Sequence, residues 1–179
     1  MILGVSELLR LVREKKLVEH LSERELTNPE GAGFDLRLGA LYQAEGEGFL
    51  SVSERETPQM KTVAAYVADT QQSVTLEPKV YYIAKTIERV NTPGDILVLF
   101  RPRSTLYRSG IALFTGNVSP GYVGEMYFGI INLRDKPFVI ELGARFCHAM
   151  FYQVAGASAL YRGQWQGGRM TTERREKQV

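Results

Sequence analysis

One cysteine, one tryptophan and two histidines are all that the 179 residues hold of these side chains. A single cysteine excludes an intrachain disulfide and with it the stapled scaffold of a small secreted domain. Cys147 sits in the apolar run 146–154, which reads as a small buried side chain in a reducing compartment. No stretch is long enough to span a bilayer, and the opening Met1-Ile2-Leu3-Gly4-Val5 turns polar without the basic and apolar regions of a signal peptide. A formal net charge of +2 is too small for a sequence-independent nucleic-acid binder. The late arginines (Arg162, Arg169, Arg174, Arg175) are interspersed with Glu173 and Glu176, as on a solvated tail. The expectation is a cytoplasmic protein with neither nucleic acid nor membrane as its partner.

What is present suits one globular domain spanning 1–179, since 44% of residues are hydrophobic and 23% charged. Ser6 can cap a short helix whose Leu8, Leu9 and Val12 recur at helical spacing, with Arg13, Lys15 and Lys16 at its carboxyl end. From Gly31 the period changes to two: Phe34, Leu36, Leu38 and Ala40 share one face of a strand, Asp35 and Arg37 the other. Further strands are expected at 73–76, 80–84, 95–100, 111–114, 125–132, 138–142 and 146–154, each short, rich in β-branched or aromatic residues and bounded by turn formers. Many short strands and few helices mean a mainly β fold, a sandwich or a barrel-like jelly roll. Residues 46–70, Glu- and Ser-rich with weak periodicity, read as a surface excursion. The tail 161–179 reads as flexible, and Trp165 among its glycines is either a closing flap or a ring docked on the body.

Two segments concentrate chemistry. Arg103-Ser104-Thr105-Leu106-Tyr107-Arg108-Ser109-Gly110 gathers guanidinium and hydroxyl groups after an apolar strand, which suits gripping a polyanion such as a triphosphate. Pro120-Gly121-Tyr122-Val123-Gly124-Glu125 supplies a turn at which backbone amides can approach a ligand. Together they suggest a nucleotide site.

These segments, with Met1-Ile2-Leu3, Asp35-Leu36-Arg37-Leu38-Gly39, Thr86-Ile87-Glu88-Arg89-Val90, Leu142-Gly143-Ala144-Arg145-Phe146 and Gly163-Gln164-Trp165-Gln166-Gly167, resemble in order the dCTP deaminase and trimeric dUTPase superfamily, especially its deaminase branch. The resemblance implies a distorted jelly-roll β-barrel of the dUTPase-like type with a short N-terminal helix, assembled as a homotrimer with nucleotide sites at subunit interfaces and a tail that closes over them. It implies a deoxypyrimidine triphosphate as substrate, with magnesium bound through the phosphates and no resident metal site. Cytosine is deaminated, dUTP is hydrolysed to dUMP, or both. By the same resemblance Ser104 and Arg108 are catalytic, the serine holding the attacking water and the arginine organising the base. Arg103 and Thr105 assist at the phosphates, Tyr122 lies against the deoxyribose, and Gln166 and Arg169 come from the tail.

The chain departs from the family pattern where proton transfer is done. The glutamate expected five residues after Gly124 is Gly129, and the aspartate that the dUTPase branch carries before the turn is Ser119, which keeps only a hydrogen-bonding group beside the nucleotide. Glu125 reads as a strand-surface charge. His148 falls where the family often has a glutamine. Alternation from Phe146 puts it on one face with Phe146 and Met150, as a hydrogen-bonded core or interface histidine, with a general-base role as the alternative; His20 reads as solvated. The His/Cys recipe of zinc nucleobase deaminases and the G-x-x-x-x-G-K-[ST] phosphate loop are both missing. Two readings stand open: a deaminase or diphosphatase, and a non-catalytic deoxynucleotide-binding trimeric paralogue.

Overall fold

The computed structural model describes residues 1–178. The chain runs through α1 (Val5–Lys15), β1 (Val18–Glu19), α2 (Glu23–Thr27), β2 (Phe34–Glu45), β3 (Phe49–Leu50), β4 (Glu54–Glu56), β5 (Gln59–Ala65), β6 (Ser73–Leu76), β7 (Tyr81–Asn91), β8 (Ile96–Pro102), α3 (Ser104–Arg108), β9 (Ile111–Phe114), β10 (Asn117–Val118), β11 (Val123–Asn132), β12 (Phe138–Glu141), β13 (Arg145–Gln153) and β14 (Glu176–Lys177). The fold is mainly β, as expected: a curled antiparallel sheet in the order β10-β8-β13-β2-β7-β11-β9, with β1 added to β7 and β5 to β2. Two smaller sheets, β12-β6 and β14-β4-β3, complete the strands of the described residues.

The long strand β2 is the hinge of the architecture. Its first half pairs with β13 and its second half with β7 and β5, so one strand ties the two halves of the curl. Phe34, Leu36, Leu38 and Leu41 of this strand are fully buried, together with Phe146 and Phe151 from β13 and Ile130 from β11. The rings of Phe100, Phe128 and Phe146 meet at centroid separations of 4.9 and 6.1 Å. Burial of such side chains, each contributing roughly 1.5–3 kcal/mol, dominates the stability. No helix of the described residues is long and apolar enough to cross a membrane.

Several local expectations change. Helix α1 starts at Val5 with Gly4 as N-cap and no side-chain capping bond, so Ser6 lies inside the first turn. Strand β7 runs on from the expected 80–84 through Thr86-Ile87-Glu88-Arg89-Val90, because Tyr82, Ala84, Thr86, Glu88 and Val90 alternate as buried residues along its full length. The buried polar members are satisfied: Glu88 accepts from the Arg37 Nε at 2.7 Å and the Arg37 amide at 2.8 Å, and Thr86 donates to the Glu88 carbonyl at 2.7 Å. Segment 46–70, read as an excursion, contains β3, β4 and β5, with Ala64 of β5 buried against the body.

Candidate functional site

Strand β8 delivers Arg103 to a cluster of charge beneath the first turn of α3. The Arg103 amide donates to the Phe146 carbonyl at 3.0 Å, and its guanidinium turns inward to pair with Oδ2 of Asp35. Arg145 donates to the same oxygen at 2.9 Å, while Nδ1 of His148 lies 2.9 Å from Oδ1. Below them Glu25, also buried, accepts the Asp35 amide at 3.0 Å and pairs with Arg24, which reaches on to Glu30 at 3.1 Å. Each buried carboxylate is therefore compensated by guanidinium groups, as burial of charge requires. The arginine crowding has its own effect: burial, then the charges of Arg145 and Arg24, lower the Arg103 pKa from its ordinary value. Burial, aided by Arg103 and opposed by Glu25 and Glu30, lowers that of His148.

Above this cluster opens a cleft of about 340 Å³ lined by Glu30, Gly31, Asp35, Pro102, Arg103, Ser104 and His148. Thr105 lies in a neighbouring groove with Phe138 and Arg145. Arg108, at the end of α3, is exposed and makes no ion pair among the described residues.

A second cavity, of about 260 Å³, lies under the turn at 119–124 and is lined by Asn117, Val118, Ser119, Tyr122, Met126, Tyr127, Tyr161, Trp165, Arg169 and Met170. Thr92 fixes the turn: its hydroxyl lies 2.9 Å from the Ser119 carbonyl and accepts the Tyr122 amide at 2.9 Å. Tyr122 is buried, donates to the Glu125 carbonyl at 3.0 Å and meets Tyr161 edge-on at 5.4 Å. Burial pushes its phenol up to about 12. Glu125 itself faces Lys85 at 3.3 Å and Arg89 at 3.9 Å. Burial opposes its ionisation, yet the backbone hydrogen bond and the two cations leave its pKa lowered.

The tail closes the cavity from outside. Gln166 accepts the Val123 amide at 3.0 Å and donates to the Gly121 carbonyl at 2.9 Å, and the Gly167 amide adds a bond to Val123 at 2.8 Å. Arg55 of β4 lies 4.3 Å over the Trp165 ring, and Glu176 accepts from Arg169 at 3.2 and 2.8 Å and from Arg55 at 3.4 Å. The tryptophan is thus docked, held against the β3–β4 hairpin rather than standing free.

Within one chain the candidate residues separate into groups. Arg103 and Ser104 share the charged cleft; Ser119, Tyr122 and Arg169 share the second cavity; Gln166 is spent on the turn; Thr105 and Arg108 lie outside both. His148 corrects the alternation drawn from Phe146. The pairing with β2 shifts register between Arg145 and Cys147, so Cys147, Ala149 and Phe151 join Phe146 in the core and His148 turns to the cleft. Asp35, read as the exposed side of its strand, is buried in the charged cluster. Across the sheet it pairs directly with His148, a register that the alternation alone does not carry. Gly129 faces Tyr81: a Cβ built on it would overlap the tyrosine hydroxyl and lie 2.9 Å from two ring carbons.

The sequence matches the family model described as dCTP deaminase-like over residues 2–154. A probable deoxyuridine 5'-triphosphate nucleotidohydrolase of Methanopyrus kandleri is 33% identical over 138 residues, 76% of this chain and 83% of that protein. A dCTP deaminase of Thermococcus kodakarensis is 29% identical over 161 residues, 88% of this chain and 90% of that protein. Among solved structures, the 2'-deoxycytidine 5'-triphosphate deaminase of Agrobacterium tumefaciens superposes with a TM-score of 0.64 at 20% identity. That match covers 84% of this chain, which spans 47% of that protein's length, and supports the dUTPase-like fold.

Proposed function

Because the chain belongs to the dCTP deaminase-like family, we propose that it is an enzyme of deoxypyrimidine triphosphate metabolism that hydrolyses dUTP to dUMP and pyrophosphate and does not deaminate dCTP. The observation that carries the choice between the two reactions is the tyrosine over Gly129. Deamination needs a group to move protons between water and the leaving amine; at position 129 there is no side chain, and Tyr81 fills the space one would enter. A phenol, ordinarily protonated up to about pH 10, is a poor proton acceptor at neutral pH.

In this reading three copies assemble so that α3 of one protomer faces the Ser119–Tyr122 cavity of the next. The two clefts share no lining residue, so within one protomer α3 and the 119–124 turn do not form a single site. Arg103, with Nη1 held by Asp35, offers its remaining guanidinium donors and Ser104 its hydroxyl to phosphate oxygens, Thr105 assists, and Arg108 reaches the base edge. Tyr122 forms the wall against the deoxyribose and leaves no room for a 2′-hydroxyl. Arg169 adds charge from the tail. Magnesium arrives with the triphosphate as part of the substrate.

Incubation with dUTP or dCTP plus magnesium, followed by chromatography, tests the proposal. The expected result is dUMP and pyrophosphate from dUTP and no dUTP from dCTP. Formation of dUTP from dCTP overturns the choice of reaction, and thermal stabilisation by both nucleotides without turnover makes the chain the non-catalytic paralogue.

A further inference from the structure

The charged cleft holds a proton acceptor that the family pattern does not supply. We infer that His148, oriented by Asp35, is the general base that activates water for the hydrolysis proposed above, an inference that rests on that reading. An ionised carboxylate only accepts hydrogen bonds, so the 2.9 Å contact between Asp35 Oδ1 and His148 Nδ1 places the ring proton on Nδ1. The Nε2 lone pair is then the free one. Among the described residues Nε2 has no hydrogen-bond partner, and the side chain keeps 27% of its surface exposed on the cleft. Gly33 makes the ring position possible: a Cβ there would lie 2.6 Å from Nε2.

Asp35 can hold the ring because its own charge is balanced at Oδ2 by Arg103 and Arg145. The other charged groups around the histidine are Glu25, Arg24 and Glu30. Buried and beside Arg103, the imidazole stays neutral at pH 7, as a base requires. The role is otherwise vacant, since Ser119 and Gly129 replace both carboxylates of the family pattern. In the step itself the water oxygen bonds to a phosphorus of the α–β anhydride while its proton passes to Nε2. The bond from that phosphorus to the bridging oxygen breaks, and the bridging oxygen leaves with the other phosphoryl group. Arg103 and Ser104 steady the charge that gathers on the phosphate oxygens, and His148 returns its proton to solvent.

The test compares wild type with His148→Gln, using dUTP with magnesium for turnover and α,β-imido-dUTP for binding. The expected result is a kcat lower by about 10²–10⁴ with analogue affinity retained within about threefold. In the wild type, kcat/KM should also fall on acidification below the ordinary histidine value of 6.5, a limb absent from the variant. Asp35→Asn should move that limb to lower pH, because imidazolium loses its carboxylate; a merely structural role for Asp35 would leave it in place. If Asp35→Asn does not fold, His148→Gln decides alone. A His148→Gln variant that keeps its kcat or its acid limb, or that loses analogue binding together with kcat, overturns the inference while wild-type hydrolysis leaves the functional reading intact. A wild type that binds the analogue yet hydrolyses no dUTP overturns both.

Discussion

Tyr81 lies across Gly129, its hydroxyl where a side chain at 129 would begin and its ring 6.3 Å from that of Phe114. Gly129→Glu alone must therefore push the ring off Phe114. Tyr81 and Phe114 are both partly exposed, so we expect a loss at the low end of the roughly 1–3 kcal/mol that core overpacking costs, read in thermal or denaturant unfolding, and no dUTP from dCTP. Tyr81→Ala with Gly129→Glu should recover the stability and open a deaminating activity. A single Gly129→Glu variant of wild-type stability would show that the tyrosine swings aside freely.

Arg37 and Glu88 join two of the sequence motifs across the β2–β7 pair. Glu88 is fully buried and its pKa is raised, burial outweighing the Arg37 contacts. Arg37→Met leaves that carboxylate unpaired and should cost about 3–5 kcal/mol at pH 7. The sign of the pH effect follows from the raised value: the folded variant binds the Glu88 proton more tightly than the unfolded chain does. The deficit should therefore shrink as pH falls through the elevated pKa. Urea titrations at pH 7 and pH 5.5 check this, and a deficit that grows on acidification would contradict it.

Trp165 is the sole tryptophan and reports on the tail directly. Arg55→Ala removes the cation over the indole and one partner of Glu176, so the emission should shift to the red and gain accessibility to acrylamide. Glu176→Gln should do the same more weakly and, by releasing Arg169, tighten α,β-imido-dUTP binding at low salt. An unchanged spectrum in both variants would mean that the hairpin does not hold the tail.

Cys147 is fully buried, and burial pushes its thiol well above the ordinary range. Ellman's reagent should react with it only as fast as the chain unfolds. Rapid labelling of the native protein would place position 147 outside the core.

Much of this fold was legible because one face of most strands is buried against a single core. The stretches 73–76 and 111–114 agree with β6 and β9 to the residue. The apolar alternation of β7 stops at Ala84 because its later inward residues, Thr86 and Glu88, are polar, and only Arg37, fifty-one positions away, satisfies the glutamate. The same cause hid Asp35, whose burial depends on arginines from α2, β13 and the turn before α3. His148 is hydrogen-bonded as its place on the strand implies, but simple alternation puts it on the face of Phe146, because a one-residue register shift reverses the pattern beyond Arg145. The motifs at 103–108 and 119–124 were visible as chemistry, but their separation into two clefts of one chain was not, since residue order carries no distances between loops.

Subunit complementation tests the central claim, a site shared between protomers, most directly. Arg103→Ala/Ser104→Ala and Tyr122→Ala/Arg169→Ala proteins should each be inactive on dUTP, while a co-expressed equal mixture should regain about one quarter of wild-type activity, the statistical share of intact sites in a cyclic trimer. A mixture as inactive as its parents, or full activity in a wild-type monomer, would contradict the account.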